Sequence, residues 1–219
     1  FRHWYEYCIL RVHKVDENSL PKIQRNQISI FKGGENLAEM ESSATKAKRG
    51  LVMVITGNGK GKTTSSFGQA LRAIGQGYRV CIIQFMKGRK YGEVLAAEKY
   101  LPDLKILQFG LDSFVMRDDP AGVDVQLAWE GLKKAEEIIH SGQYDMVILD
   151  EINVAVDFAL IPEERVLDLI KNKPPEVDIL LTGRYASEKI REAADMVSEI
   201  TEIKHHYKAG IKDRAGIEY

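Results

Sequence analysis

The string Thr56-Gly57-Asn58-Gly59-Lys60-Gly61-Lys62-Thr63-Thr64 constrains this chain more than any other feature. A short apolar run at 51–55 precedes it and an amphipathic segment at 62–74 follows it. A glycine-rich turn between a buried strand and a helix start aims successive N–H groups inward beside the positive end of the helix, which makes a cradle for phosphate oxygens. Gly57, Gly59 and Gly61 can take the backbone angles such a loop needs. Lys62 adds a positive charge on a long stem, and Thr63 offers a hydroxyl to a magnesium ion. The usual spacing, Gly-x-x-x-x-Gly-Lys-Ser/Thr, calls for glycine at position 56; Thr56 stands there and glycine comes one residue later, which alters the loop's entry. The competing reading is a glycine-rich turn with solvated lysines, which the flanking strand and helix disfavour.

From Gly50 onward short apolar runs alternate with longer amphipathic segments, the pattern of a parallel sheet covered by helices. Strands are expected at 51–55, 79–85, 104–109, 146–150, 177–182 and 196–203. Helices are expected at 62–74, 122–140, 162–172, with Pro162 in the first turn, and 187–194, with Ser187 as N-cap. The fold class is therefore α/β and P-loop NTPase-like, a mostly parallel sheet of about six strands with helices on both faces. Residues 1–39 read differently: the start is aromatic and mixed, and Phe31-Lys32-Gly33-Gly34-Glu35 breaks without a clear following period. Position 1 is Phe rather than Met. One reading makes Met40 the native start and residues 1–39 a foreign or upstream extension; the other is a genuine extension that packs on the domain. Residues 40–49 form a short polar lead-in, and 50–219 form the domain.

A second element supports the phosphate reading. Tyr144-Asp145-Met146-Val147-Ile148-Leu149-Asp150-Glu151 is a buried strand that carries two carboxylates to its C-terminal end, where magnesium needs oxygens. Ligands of open α/β sheets lie beyond the carboxyl ends of the strands. Thr56 to Thr63, Lys87, Asp150 with Glu151, and Thr182-Gly183-Arg184 are expected to converge there. Taken alone, Asp150 suits a helix cap as well as metal work; the upstream loop shifts the balance. Arg184 taken alone reads equally as a surface arginine, yet its place after a buried strand suits a guanidinium clamp on phosphate oxygens.

Charge and cysteine content exclude other classes. The 219 residues carry 31 Lys plus Arg against 32 Asp plus Glu, a net charge of -1, so the basic excess of a general nucleic-acid binder is missing. Cys8 and Cys81 are too few for a disulfide framework or cysteine-rich zinc site, and no apolar run reaches the length of a membrane helix. A cytoplasmic protein without membrane or nucleic-acid partners is expected. Among nucleotide enzymes, a GTPase would show Asn-Lys-x-Asp, whereas Asn172-Lys173-Pro174-Pro175 lacks the acid, and a kinase would show an arginine-bearing lid. An ATPase or ATP-driven switch stays open, with Glu151 positioning a water.

Several strings in order resemble one family, the P-loop ATP:corrinoid (cob(I)alamin) adenosyltransferases. They are the loop 57–64, Gln84-Phe85-Met86-Lys87-Gly88 with Gly92-Glu93, Leu149-Asp150-Glu151-Ile152-Asn153, Leu181-Thr182-Gly183-Arg184, Lys204-His205 and Ala215-Gly216-Ile217-Glu218-Tyr219. The resemblance spans about 50–219, and a loop opening on Thr-Gly is characteristic of that family. It implies a homodimeric transferase of cobalamin biosynthesis or salvage that moves the 5'-deoxyadenosyl group of ATP onto the Co(I) of a corrinoid and releases triphosphate, with a reductase or flavodoxin-like electron donor.

By that resemblance ATP lies against Thr56, Gly57, Asn58, Gly59, Lys60, Gly61, Lys62, Thr63, Thr64, Lys87 and Arg184. Lys62, Glu151 and Arg184 carry the catalysis, and Thr63, Asp150 and Glu151 hold Mg2+. Co(I) has no proton to lose, so no Ser, Cys or His base is needed. Phe114 is the candidate for the apolar residue that displaces the lower axial ligand of cobalt, and Asn153 for a further substrate contact; core anchoring and capping are their plainer roles. His205 and His206 are read as structural or substrate-contacting rather than metal-binding, because neighbours in an extended segment face opposite ways and no cysteine completes a ligand set. Trp129 and Tyr144 are read as packing residues.

Overall fold

Residues 49–113 and 115–219 are described by a computed structural model of the chain. The expectations for 1–39, for nearly all of 40–49 and for Phe114 lie outside the described residues. The elements run β1 (Val52–Thr56), α1 (Lys62–Ile74), β2 (Val80–Phe85), α2 (Gly92–Tyr100), β3 (Leu104–Phe109), α3 (Gly122–His140), β4 (Met146–Asp150), α4 (Ile152–Asp157), α5 (Glu163–Asn172), β5 (Asp178–Thr182), α6 (Glu188–Ala193) and β6 (Met196–Glu199), followed by a 3-10 turn at His206–Ala209.

The six strands form one sheet in the order β3-β2-β4-β5-β1-β6, and every pairing is parallel. Side chains alternate across a strand, so β2 sends Val80 and Ile82 to one face and Cys81, Ile83 and Phe85 to the other. The first face is covered by Ala70 and Ala73 of α1 and Ala97 of α2. The second receives Leu132, Ala135 and Ile139 of α3, with Ile152, Val166, Leu169 and Ile190 from the later helices. Each fully buried Ile or Leu contributes about 1.5–3 kcal/mol of transfer free energy, which explains why strands covered on both sides read as unbroken apolar runs. Gly131 lets α3 pack closely on the sheet: a Cβ there would lie 2.9 Å from the Phe85 ring.

Two elements differ from the expectation. Helix α2 is not anticipated because only Val94 and Ala97 are buried, too few to mark a stripe. Strand β6 stops at Glu199 rather than at 203, and all four of its residues are exposed at the sheet edge. Ile200 leaves the ladder to serve the phosphate loop: its N–H donates to Thr56 O (2.9 Å) and its carbonyl accepts from Gly59 N–H (2.8 Å). Among the described residues no helix is long and apolar enough to cross a membrane.

Candidate active site

The loop between β1 and α1 is shaped by its glycines and by what they touch. Gly57 has φ 96°, and a Cβ there would meet Ile200 O at 2.4 Å. Glycine is therefore required at 57, one place later than the usual spacing, while the preceding Thr56 is buried and its Oγ1 accepts from Ala186 N–H (3.2 Å). Asn58 Oδ1 accepts from Glu202 N–H (3.0 Å), and Lys60 Nζ donates to Ile217 O (2.5 Å). Neighbouring segments thus hold the loop from outside while its inner side stays open.

Beyond the strand ends lies a cavity of about 870 Å³, walled by residues 59–64, Lys87, Glu151 and Arg184 and, on the far side, by the C-terminal segment through Asp213 and residues 216–219. The four strand ends expected to converge do so. Thr56, Gly57 and Asn58 stand behind the wall as its support rather than on it. Asn153 is fully buried in α4, away from the cavity lining, and neither amide atom has a hydrogen-bond partner among the described residues. The C-terminal wall was visible in the sequence only as the ordered string 215–219, whose spacing says nothing of its placement.

Lys62 reaches back to Gly59 O (2.6 Å), and burial pulls its pKa below the ordinary lysine value, with Glu151 opposing and Arg184 assisting. Asp150 is the hub of the site. One of its oxygens accepts from Thr63 Oγ1 (3.0 Å) and Thr182 Oγ1 (2.6 Å), the other from Gln84 Nε2 (3.0 Å) and Lys87 Nζ (2.8 Å). Burial alone would raise its pKa; Lys87 and these hydrogen bonds overcome that and hold the carboxyl below the usual carboxylate value. Lys87 loses by burial and gains more from Asp150 and Glu151, so its pKa lies above the ordinary value.

Glu151 behaves in the opposite way. Burial and the adjacent Asp150 charge push its carboxyl above the usual range despite Lys87, Lys62 and Arg184. It faces the cavity from a left-handed backbone, φ 64°, with its N–H donating to Thr182 Oγ1 (3.1 Å). Met86 (φ 57°) and Tyr185 (φ 61°) repeat that conformation beside Lys87 and Arg184. Such backbones cost about 1–3 kcal/mol each and cluster where side-chain aim matters. Cys81 takes no part: it is wholly buried, and burial pushes its thiol up to about 12.

An all-parallel sheet with this order, and a glycine loop leading from its β1 into a helix, is the fold of the P-loop nucleoside triphosphatases. Within that class the match is narrower. The chain belongs to the family described as ATP:corrinoid adenosyltransferase BtuR/CobO/CobP, whose model matches residues 48–219. Among curated relatives, the corrinoid adenosyltransferase of Escherichia coli strain K12 is 35% identical over 173 residues, 78% of this chain and 87% of its own. That of a Sinorhizobium species is 37% identical over 179 residues, 80% and 84% of the two chains. That of Pseudomonas aeruginosa is 34% identical over 203 residues, 92% of this chain and 100% of its own.

Proposed function

We propose that this transferase moves the 5'-deoxyadenosyl group of ATP onto the Co(I) of a corrinoid and releases triphosphate, in cobalamin biosynthesis or salvage. Co(I) supplies an electron pair to the ribose 5' carbon, the cobalt–carbon bond forms as the carbon–oxygen bond breaks, and the leaving pair stays on triphosphate oxygen. The observation that carries the reading is the cavity wall, where residues 59–64 of the loop meet Lys87 and Arg184 and bring Lys62 with them, a setting for a polyanionic leaving group rather than for proton abstraction. His205 also lines the cavity, but its Nδ1 accepts from Tyr207 N–H (3.3 Å), and among the described residues no serine or cysteine stands in a triad with it. Thr64 and Lys60 complete the loop's contacts with ATP, with Thr56, Gly57, Asn58, Gly59 and Gly61 setting its shape.

Mg2+ fits the donor set through Thr63 and Glu151. Asp150 has two donors on each oxygen, whereas Glu151 faces the cavity with no donor set against its carboxylate among the described residues. When bound, the ion neutralises charge developing on triphosphate. Asp150 then acts through Thr63 and Lys87, which it holds in place, and Lys62, Glu151 and Arg184 act on the phosphates and the ion. Phe114 keeps its assignment to the corrinoid side, whereas Asn153, fully buried and off the cavity lining, does not. The same reading makes the protein a cytoplasmic homodimer, supplied with Co(I) by a reductase or flavodoxin-like donor, with 50–219 as the catalytic domain.

An anaerobic assay with ATP, Mg2+ and chemically reduced corrinoid tests the proposal. Formation of the light-sensitive alkyl-cobalt spectrum together with triphosphate is the expected result. ADP and phosphate without alkyl-cobalt would overturn it in favour of an ATPase or switch.

A further inference from the structure

The C-terminal segment holds a cluster that is separate from the residues assigned to ATP and Mg2+. The 3-10 turn beginning at His206 ends at Gly210 (φ 78°), and a second tight turn at Gly216 (φ 79°), where Ile217 and Glu218 N–H both donate to Arg214 O, brings the chain back. Glu218 returns to within reach of His206: Nε2 and Oε1 are 3.6 Å apart. Both atoms are shielded from solvent and neither has a hydrogen-bond partner among the described residues. The other Glu218 oxygen is occupied by Arg214 N–H (3.1 Å). Asp213 completes the group, and one ligand atom from each of the three lies within 4.8 Å of the others.

These two shielded atoms form an ion pair only when His206 is protonated; with a neutral imidazole they carry a desolvation cost and no hydrogen bond to offset it. A divalent cation between them satisfies both. In a tetrahedral site with bonds of about 2.0–2.1 Å, ligand atoms stand about 3.4 Å apart, close to the His206–Glu218 spacing. Asp213 is exposed and free to close the remaining distance. His206 is also held in orientation, because its ring stacks on His205 with centroids 4.6 Å apart.

The geometry points to a second metal site, distinct from the Mg2+ at Thr63 and Glu151: His206 Nε2 with the Asp213 and Glu218 carboxylates, taking a borderline divalent transition metal of the Zn2+ class. One imidazole with two carboxylates suits such an ion better than Mg2+, which favours oxygen alone. The site ties the His206 turn to the segment that walls the nucleotide cavity through Asp213 and Glu218, beside the carbonyl of Ile217 that Lys60 holds. Sequence alone points away from a metal at His206, since no cysteine stands near it; the carboxylates that join it are delivered by two turns.

Zn2+ titration of the untagged, chelator-treated full chain, followed by calorimetry and thermal unfolding without ATP or corrinoid, tests this independently of the proposed transfer activity. One site that raises Tm is expected. His206→Ala and Asp213→Asn are expected to weaken it by about tenfold or more, whereas Lys62→Ala and Glu151→Gln leave it in place. Asp213 is exposed, so its variant separates lost ligation from lost folding. Absence of Zn2+ binding, or equal binding by wild type and both ligand variants, would overturn the site.

Discussion

Lys87 Nζ lies 2.8 Å from Asp150 Oδ2 and 3.1 Å from Thr63 Oγ1, so a lysine ammonium bridges the strand carboxylate and the loop threonine. The pair is buried, with the Asp150 side chain 0% and the Lys87 side chain 15% exposed. Removing one partner strands the other charge. Lys87→Met is expected to destabilise the fold by about 3–5 kcal/mol, and Lys87→Met with Asp150→Asn by less than the sum of the single changes. Urea denaturation of the four proteins checks this; additive effects would count against the coupling.

The same pair dictates a pH window. The Asp150 pKa is depressed, so its contribution is present above the ordinary value of 3.8 and is lost as pH falls through the folded-state pKa. The Lys87 pKa is raised, so its contribution is present below 10.5 and is lost as pH rises through the folded-state pKa. Unfolding free energy measured against pH should therefore show flanks in the wild type that flatten in the double variant.

Lys62 has one hydrogen-bond partner in the loop, the Gly59 carbonyl, and its removal leaves the sheet untouched. Lys62→Ala is expected to stay folded by circular dichroism while adenosyl transfer falls by about a hundredfold or more. Near-wild-type transfer by the folded variant would remove Lys62 from the reaction.

Glu151 has its proton affinity raised by burial and by Asp150. Mg2+ competes with a proton for that carboxylate, so calorimetric affinity for Mg2+ with ATP should fall with decreasing pH, with a part of the slope that belongs to Glu151 and begins above the ordinary glutamate value of 4.5. Glu151→Gln should bind the ion weakly and keep only the shallower slope that ATP's own phosphate protonation gives. A matching slope in the variant would assign the proton elsewhere.

Gly110 sits where a Cβ would meet Lys87 N at 2.3 Å and Met86 C at 2.5 Å. Both are backbone atoms, so Gly110→Ala must displace the segment that carries Lys87. We expect a loss of about 1–3 kcal/mol in stability together with a loss of transfer activity, measured on the same preparation.

The central strands were legible because burial on both faces leaves uninterrupted apolar runs such as Val80 to Ile83, and α1 and α3 because their apolar residues recur at helical spacing. Helix α2 was not, since two buried residues make no period. The chemistry-bearing residues at strand ends were legible for a topological reason: parallel strands deliver their carboxyl ends to one edge, which gathers Thr63, Lys87, Glu151 and Arg184 without any long-range signal. The saturation of Asp150 was not, because it depends on Gln84 and Thr182, ordinary strand residues until register places them beside it. Nor was the pairing of His206 with Glu218, which depends on two turns whose direction is a matter of backbone angle.

The left-handed conformations of Met86, Glu151 and Tyr185 set two selective pressures against each other. Selection for stability alone would favour glycine or asparagine at these positions, where each replacement releases backbone strain. Selection for catalysis keeps the carboxylate at 151 and the turns that aim its neighbours, Lys87 and Arg184. Variants of this protein evolved only for heat resistance should therefore accumulate changes at residues 86, 151 and 185, and their melting temperatures should rise as their turnover declines.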